Sequence, residues 1–158
     1  MYKRQRQTAA ARNLPVEVRF FFLPYFGKTS GSGDIIRGMQ LYIQDATNAV
    51  PASRLVLFPE RVVIRDGYMT TTNAAKRTSW TNGQWGVFSI HYGYSSFTIR
   101  PNGMLSTGTN SVISDWNNWL LVQTWEQDAP CGSTSPMPTN YAIVQVNPIT
   151  AKVTILRP

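Results

Sequence analysis

The chain is short of the residues on which most catalytic and metal sites depend. Among 158 residues there is one cysteine, Cys131, and one histidine, His91, and charged side chains make up only 15%. A lone cysteine excludes an intrachain disulfide, so stability has to come from a buried core, which a chain of this length can build as one domain. One His and one Cys do not supply the usual zinc ligand set. The longest apolar run, Phe20-Phe21-Phe22-Leu23 continuing through Pro24 to Tyr25-Phe26, falls far short of the roughly 20 residues of a membrane-spanning helix. Apolar residues at 42% exclude a mainly disordered chain, which lacks the means to bury a core.

The same scarcity limits chemistry. Nucleophilic catalysis needs a nucleophile and a base within hydrogen-bond reach. Cys131 and His91 form the one thiol–imidazole combination, and Ala129-Pro130-Cys131-Gly132-Ser133 matches no protease signature. A serine hydrolase of the nucleophile-elbow type needs Gly-x-Ser-x-Gly, which is absent. Paired carboxylates for glycoside hydrolysis stand within about 10 Å of each other. Asp115 and Glu126 bracket an extended segment rising roughly 3.3 Å per residue, which separates them too widely. Glu126 and Asp128 offer too few oxygens for calcium, which takes six to eight ligands. Gly27-Lys28-Thr29 lacks the earlier glycine of a phosphate-binding loop and runs on through Ser30-Gly31-Ser32-Gly33, so it reads as a flexible connection. No catalytic residue, metal or cofactor is expected.

The charge that is present is mostly positive. Fifteen basic against eight acidic residues give +7, and residues 1–65 hold ten of the basic and four of the acidic groups. Met1-Tyr2-Lys3-Arg4-Gln5 resembles the translated end of a transposon used to prepare sequencing libraries, and on that reading residues 1–5 are a scar to exclude from fold reasoning. Removing Lys3 and Arg4 lowers the balance to +5. The N-terminal extension, residues 1–14, then carries only Arg6 and Arg12, so nucleic-acid binding by a basic arm has weak support.

What the chain has in abundance is β-pattern and turn signals. In Val16-Glu17-Val18-Arg19-Phe20-Phe21-Phe22-Leu23, Val16, Val18, Phe20 and Phe22 alternate with Glu17 and Arg19, and from Phe21 onward both faces are apolar. Such a strand is either central in a sheet or covered by another element or chain. Asp34 can cap a helix whose apolar face is Ile35, Ile36, Met39, Tyr42, Ile43 and Ala46, which allows at most one short helix, near residues 34–48. Gly38 and the alternation of Met39, Leu41 and Ile43 favour a competing strand over 38–44. After Pro51 the reading is entirely β. Strands are expected at Arg54–Phe58, Arg61–Arg65, Tyr68–Thr72, Trp85–Tyr94, Phe97–Arg100, Met104–Ser106, Trp116–Trp125, Tyr141–Val146 and Lys152–Leu156. Hairpin turns are expected at Asp66-Gly67, Asn82-Gly83 and Asn102-Gly103, where Asn, Asp and Gly tolerate positive φ. Short strands with turns between them predict an all-β fold over residues 15–158, an antiparallel sandwich or barrel of jelly-roll type.

Two functional expectations follow. A non-enzymatic structural or assembly subunit, a virion, phage-tail or extracellular-filament component, would use Val16, Val18, Phe20, Phe21, Phe22 and Leu23 as a strand that pairs with a neighbouring copy. Its partner is a homo-oligomer or polymer and its location extracellular or virion-associated. The alternative is a carbohydrate-binding module. The chain holds five Trp, seven Tyr and seven Phe, and Trp116, Asn117, Asn118 and Trp119 join flat aromatic surface to amide hydrogen-bonding groups suited to a glycan.

Overall fold

The computed structural model describes residues 7, 9–23, 35–45, 48–59, 62–64, 78–85, 88–107, 111–112, 119–124 and 140–157. They form one antiparallel sheet of twelve strands. The first half holds β1 (Val16–Leu23), β2 (Ile35–Gln44), β3 (Ala49–Pro51), β4 (Val56–Leu57), β5 (Val62–Ile64) and β6 (Thr78–Trp85). The second half holds β7 (Phe88–Ile99), β8 (Leu105–Thr107), β9 (Ser111–Val112), β10 (Trp119–Thr124), β11 (Tyr141–Val146) and β12 (Val153–Leu156). The strands run in the order β12-β11-β10-β5-β2-β1-β7-β8-β9, with β3 and β4 also on β2 and β6 on β7. The fold is all-β, as the turn-punctuated sequence requires, and the described strands do not close into a barrel: β12 and β9 are the two ends of the path.

β1 occupies the slot between β2 and β7. Val16 stands opposite Ile43 on one side and Ile99 on the other, and Phe20 opposite Met39 and Ser95. Val16, Val18, Phe20 and Phe22 then share a face with Ile36, Met39, Phe97 and Ile99, and all eight are buried. Burial of side chains of this size contributes roughly 1.5–3 kcal/mol each, which makes this face the main core. Phe20 and Phe97 meet as tilted rings 6.0 Å apart. Val144, Val146 and Val153, from the far side of the sheet path, pack into the same core, so the sheet folds over itself. A backbone hydrogen bond from Leu105 N–H to the Pro148 carbonyl, 2.7 Å, fastens the β11–β12 connection to β8.

Of the two readings of this segment, helix and strand, the strand forms, over Ile35–Gln44, and the sheet register shows why the pattern looked helical. Phe21 pairs with Gly38 but Phe22 with Ile36, so Arg37 is the extra residue of a β-bulge. A bulge shifts the side-chain alternation by one position, which puts Ile36, Met39, Leu41 and Ile43 toward one core. The resulting three-residue spacing from Ile36 to Met39 imitates one helical turn. The competing strand over 38–44 is the one that forms, and it extends back to Ile35.

Two more expectations change. Asn82-Gly83 is not a turn: Asn82 pairs with His91 and Gly83 with Ile90, and the hairpin closes beyond Trp85, which pairs with Phe88. The separate strands expected at Trp85–Tyr94 and Phe97–Arg100 are one, β7. Asn102-Gly103 does turn the chain, with Gly103 at φ 84° and its N–H bonded to the Arg100 carbonyl at 2.8 Å. The hairpin read at Asp66-Gly67 into Tyr68–Thr72 lies outside the described residues. In the extension, residues 9–12 form a helical turn, and Ala9 is fully buried in the main core.

Candidate assembly surface and the polar centre of the sheet

The six residues expected to form an assembly strand are all buried, each 7% exposed or less. Of the two positions that an apolar double-faced strand allows, β1 takes the central one, with β2 and β7 hydrogen-bonded along its two edges. Contact between subunits through β1 would require it to leave that slot. The greasy second half of β1 is covered by its own chain, with Phe21 and Leu23 packed against Tyr42, Ala49, Leu55 and Tyr94.

Glu17 and Arg19, the polar members of β1, are drawn into this second face. Glu17 is 5% exposed, and Arg19 Nη2 donates to Glu17 Oε2 at 2.7 Å. Gln44 Nε2 donates to the same carboxylate oxygen at 3.4 Å. The Arg19 guanidinium carbon lies 3.9 Å from the Tyr42 ring centroid and 4.4 Å from that of Tyr94. Antiparallel register builds this arrangement, because Tyr42 stands opposite Glu17 on β2 and Tyr94 opposite Phe21 on β7, one on each side of Arg19. Burial on its own would lower the Arg19 pKa, but the hydrogen bond and charge of Glu17, helped by Tyr94 and Tyr42, outweigh it and raise the pKa. Among the described residues Arg19 Nε has no hydrogen-bond acceptor. The network continues outward: Tyr42 Oη donates to Gln40 Oε1 at 3.0 Å, and Gln40 Nε2 donates to the Ser53 carbonyl at 2.8 Å. These contacts tie β2 to the segment after β3 and act on the architecture of the sheet.

The expected ligand surface is only partly within view. Trp116, Asn117 and Asn118 lie outside the described residues, and Trp119 is the first residue of β10, paired with Gln145 of β11. His91 is in β7, opposite Asn82 of β6, and Cys131 lies outside the described residues. No group of three or more His, Cys, Asp or Glu residues that could hold a metal ion occurs among the described residues. No helix among them is long and apolar enough to cross a membrane.

The surface that sequence reading missed is at the end of the sheet. Among the described residues β12 pairs with β11 alone, and its Ile155 and Leu156 are 60% and 50% exposed. Ile155 stands opposite Val144 and Leu156 opposite Ile143, so they project to opposite faces of the strand. Apolar residues exposed on both faces of an edge strand present an incomplete sheet, since among the described residues no strand pairs with its outward side. The sequence held a signal for it: Lys152 and Arg157 bracket Val153-Thr154-Ile155-Leu156, and flanking basic residues are a common guard on an edge strand. A second exposed apolar group, Val50 of β3 with Val56 and Leu57 of β4, lies along β2.

Comparison of the chain with protein-family models, with curated proteins and with solved structures finds no match.

Proposed function

We propose that the protein is a non-enzymatic structural subunit that assembles by strand addition at an open sheet edge, as a component of a virion, a phage tail or an extracellular filament. The observation that carries this reading is β12, an edge strand with Ile155 and Leu156 exposed on opposite faces. Strand addition supplies main-chain hydrogen bonds for affinity and alternate side-chain pockets for specificity, and an edge of this kind is its usual acceptor. The buried Glu17–Arg19 pair and the double-sided packing of β1 support the same reading, because they give the sheet a rigid centre on which its ends can bear load.

Sedimentation velocity over a wide range of protein concentration tests the proposal. The chain is expected to form species heavier than its 17.8 kDa monomer as concentration rises, and Ile155→Lys to remain monomeric with unchanged circular dichroism. A wild-type chain that stays monomeric at every concentration would overturn it.

A further inference from the structure

β12 is the last strand of the sheet path, and among the described residues β11 is its one partner. The turn that precedes it shows which of its backbone groups are left over. Asn147 N–H donates to the Lys152 carbonyl at 2.8 Å, so that carbonyl points toward β11. Backbone direction alternates from residue to residue along an antiparallel strand. Thr154 and Leu156, opposite Gln145 and Ile143, therefore bond to β11 as well, whereas Val153 and Ile155 direct both N–H and C=O outward. Arg157 is next in that outward series.

The outward set is complementary to itself. Two antiparallel strands exchange hydrogen bonds where outward residues of one stand opposite outward residues of the other. For two copies of β12 this closes the register that would set Lys152 against Arg157, because Lys152 points inward and Arg157 outward. A register centred on Ile155 stays open and engages the whole set: Ile155 faces Ile155 of the second copy, and Val153 faces Arg157 of the second copy. The basic residues that bracket the strand then never stand directly opposite one another, where like charges repel.

The side chains fit the same register. Ile155 shares a face with Val153 and stands opposite Val144, and both valines pack against the main core, yet Ile155 is 60% exposed. The core side of β12 thus continues past its cover, and Ile155 of a second copy supplies what is missing. On the other face Leu156, 50% exposed, meets Thr154 of the second copy. Resting on the assembly reading above, we infer that β12 pairs antiparallel with β12 of a second copy about a two-fold axis at Ile155, giving a dimer with one sheet continuous through both molecules. Such a contact is isologous and closes on itself, so a larger body is built from these dimers through other surfaces. Residues 153–157 are far fewer than the roughly 20–30 residues a side of a standard interface, which makes the dimer weak and dependent on concentration.

Isotope-filtered NMR on an equal mixture of labelled and unlabelled chains reads contacts between copies, and sedimentation velocity on the same samples reads mass. Expected are a species of twice the 17.8 kDa monomer mass that grows with concentration, and contacts between copies from Ile155 methyls to Ile155 and from Leu156 to Thr154. Ile155→Pro deletes an outward N–H and leaves the bonds to β11 in place, so it should abolish the dimer with circular dichroism unchanged. Leu156→Pro deletes an N–H donated to β11 and should instead lower the melting temperature. A Leu156→Pro chain as stable as the wild type would overturn the assigned backbone direction and with it the register. Contacts from Ile155 to a different segment of the neighbouring copy would overturn the pairing of β12 with itself and leave strand addition at this edge standing. Undiminished dimerisation of Ile155→Pro, or a wild-type chain that is monomeric at every concentration, would overturn both.

Discussion

Arg19 and Glu17, two residues apart on the central strand, hold each other at 2.7 Å beneath the surface of the sheet, with the rings of Tyr42 and Tyr94 against the guanidinium. Residues at this spacing on a strand face the same way, so one face of β1 carries an ion pair and two large apolar side chains. The pair fixes how β2 and β7 flank β1, since the tyrosines come from those two strands.

Removing one partner strands the other. Glu17→Ala leaves a half-buried cation without its carboxylate, and Arg19→Met leaves a carboxylate that is 5% exposed; each is expected to cost about 2–4 kcal/mol. Replacing both together, Glu17→Leu with Arg19→Met, should cost less than the sum, because neither charge remains uncompensated. Urea unfolding of the single and double variants measures this. Arg19→Lys is expected to recover only part of the loss, since an ammonium cannot lie flat between two rings while donating to Glu17.

The sign of the pH dependence from Arg19 follows from its raised pKa. A cation whose folded-state pKa lies above its unfolded value contributes stability at every pH below the unfolded value and loses it only as pH rises through the folded one. For an arginine that window lies above ordinary buffers. The difference in unfolding free energy between wild type and Arg19→Met should therefore stay level from about pH 7 to pH 9, and a slope across that range would show that another group governs the cluster.

Gly38 marks a close approach of three strands. A Cβ built at this position lies 3.3 Å from the Leu57 Cδ2 atom, 3.3 Å from the Val56 carbonyl oxygen and 3.4 Å from Leu55 Cδ1, and Gly38 pairs with both Phe21 and Leu57. The carbonyl, being backbone, yields less readily than a side chain. Gly38→Ala should destabilise by about 1 kcal/mol and Gly38→Val by more. Leu57→Ala should recover part of the Gly38→Ala loss, which a thermal-unfolding double-mutant cycle would detect as coupling.

The β11–β12 connection is held by side-chain as well as backbone hydrogen bonds, with Thr150 Oγ1 accepting from the Lys152 N–H at 3.3 Å. Asn147 Oδ1 accepts from the Ile149 and Thr150 N–H groups at 2.9 and 3.0 Å, while Ala151 N–H bonds to the Asn147 carbonyl at 2.8 Å. Ala151 closes the turn at φ 50°, a left-handed conformation that costs a residue with a Cβ roughly 1–2 kcal/mol. Asn147→Ala is expected to lower stability by about 1 kcal/mol, whereas Ala151→Gly should raise it by some tenths of a kcal/mol, the relieved strain exceeding the added chain entropy. Opposite shifts in melting temperature for the two variants would support this account of the turn.

Much of the architecture could be read from spacing. The strand Val16–Leu23 and the strand Tyr141–Val146 have the expected limits, because apolar runs bounded by turn-forming residues (Pro15 and Pro24, Asn140 and Asn147-Pro148) define both. β2 misled because a single bulge residue, Arg37, converts an alternating pattern into one with helical spacing, and a bulge depends on the partner strand. Asn82-Gly83 misled because a turn-prone dipeptide was recruited into β6, opposite His91 and Ile90, where cross-strand pairing outweighs local preference. That Glu17 and Arg19 would pair beneath the rings of Tyr42 and Tyr94 was not legible, since those tyrosines reach Arg19 only through the pairing of β1 with β2 and β7. Hydrophobicity on both faces marks a strand as covered, and for β1 its own chain supplies the cover, whereas the exposure of Ile155 and Leu156 depends on the position of β12 at the end of the sheet path.

Amide hydrogen exchange measured in dilute and in concentrated protein tests the central claim most directly, because it reads edge pairing strand by strand. Those amides of residues 153–156 that point away from β11 are expected to exchange rapidly in dilute solution and to gain protection as concentration rises. The amides of β1, already paired on both sides, should be protected throughout. Protection of 153–156 that does not change with concentration, or a concentration-dependent change in β1 instead, would contradict assembly through the β12 edge.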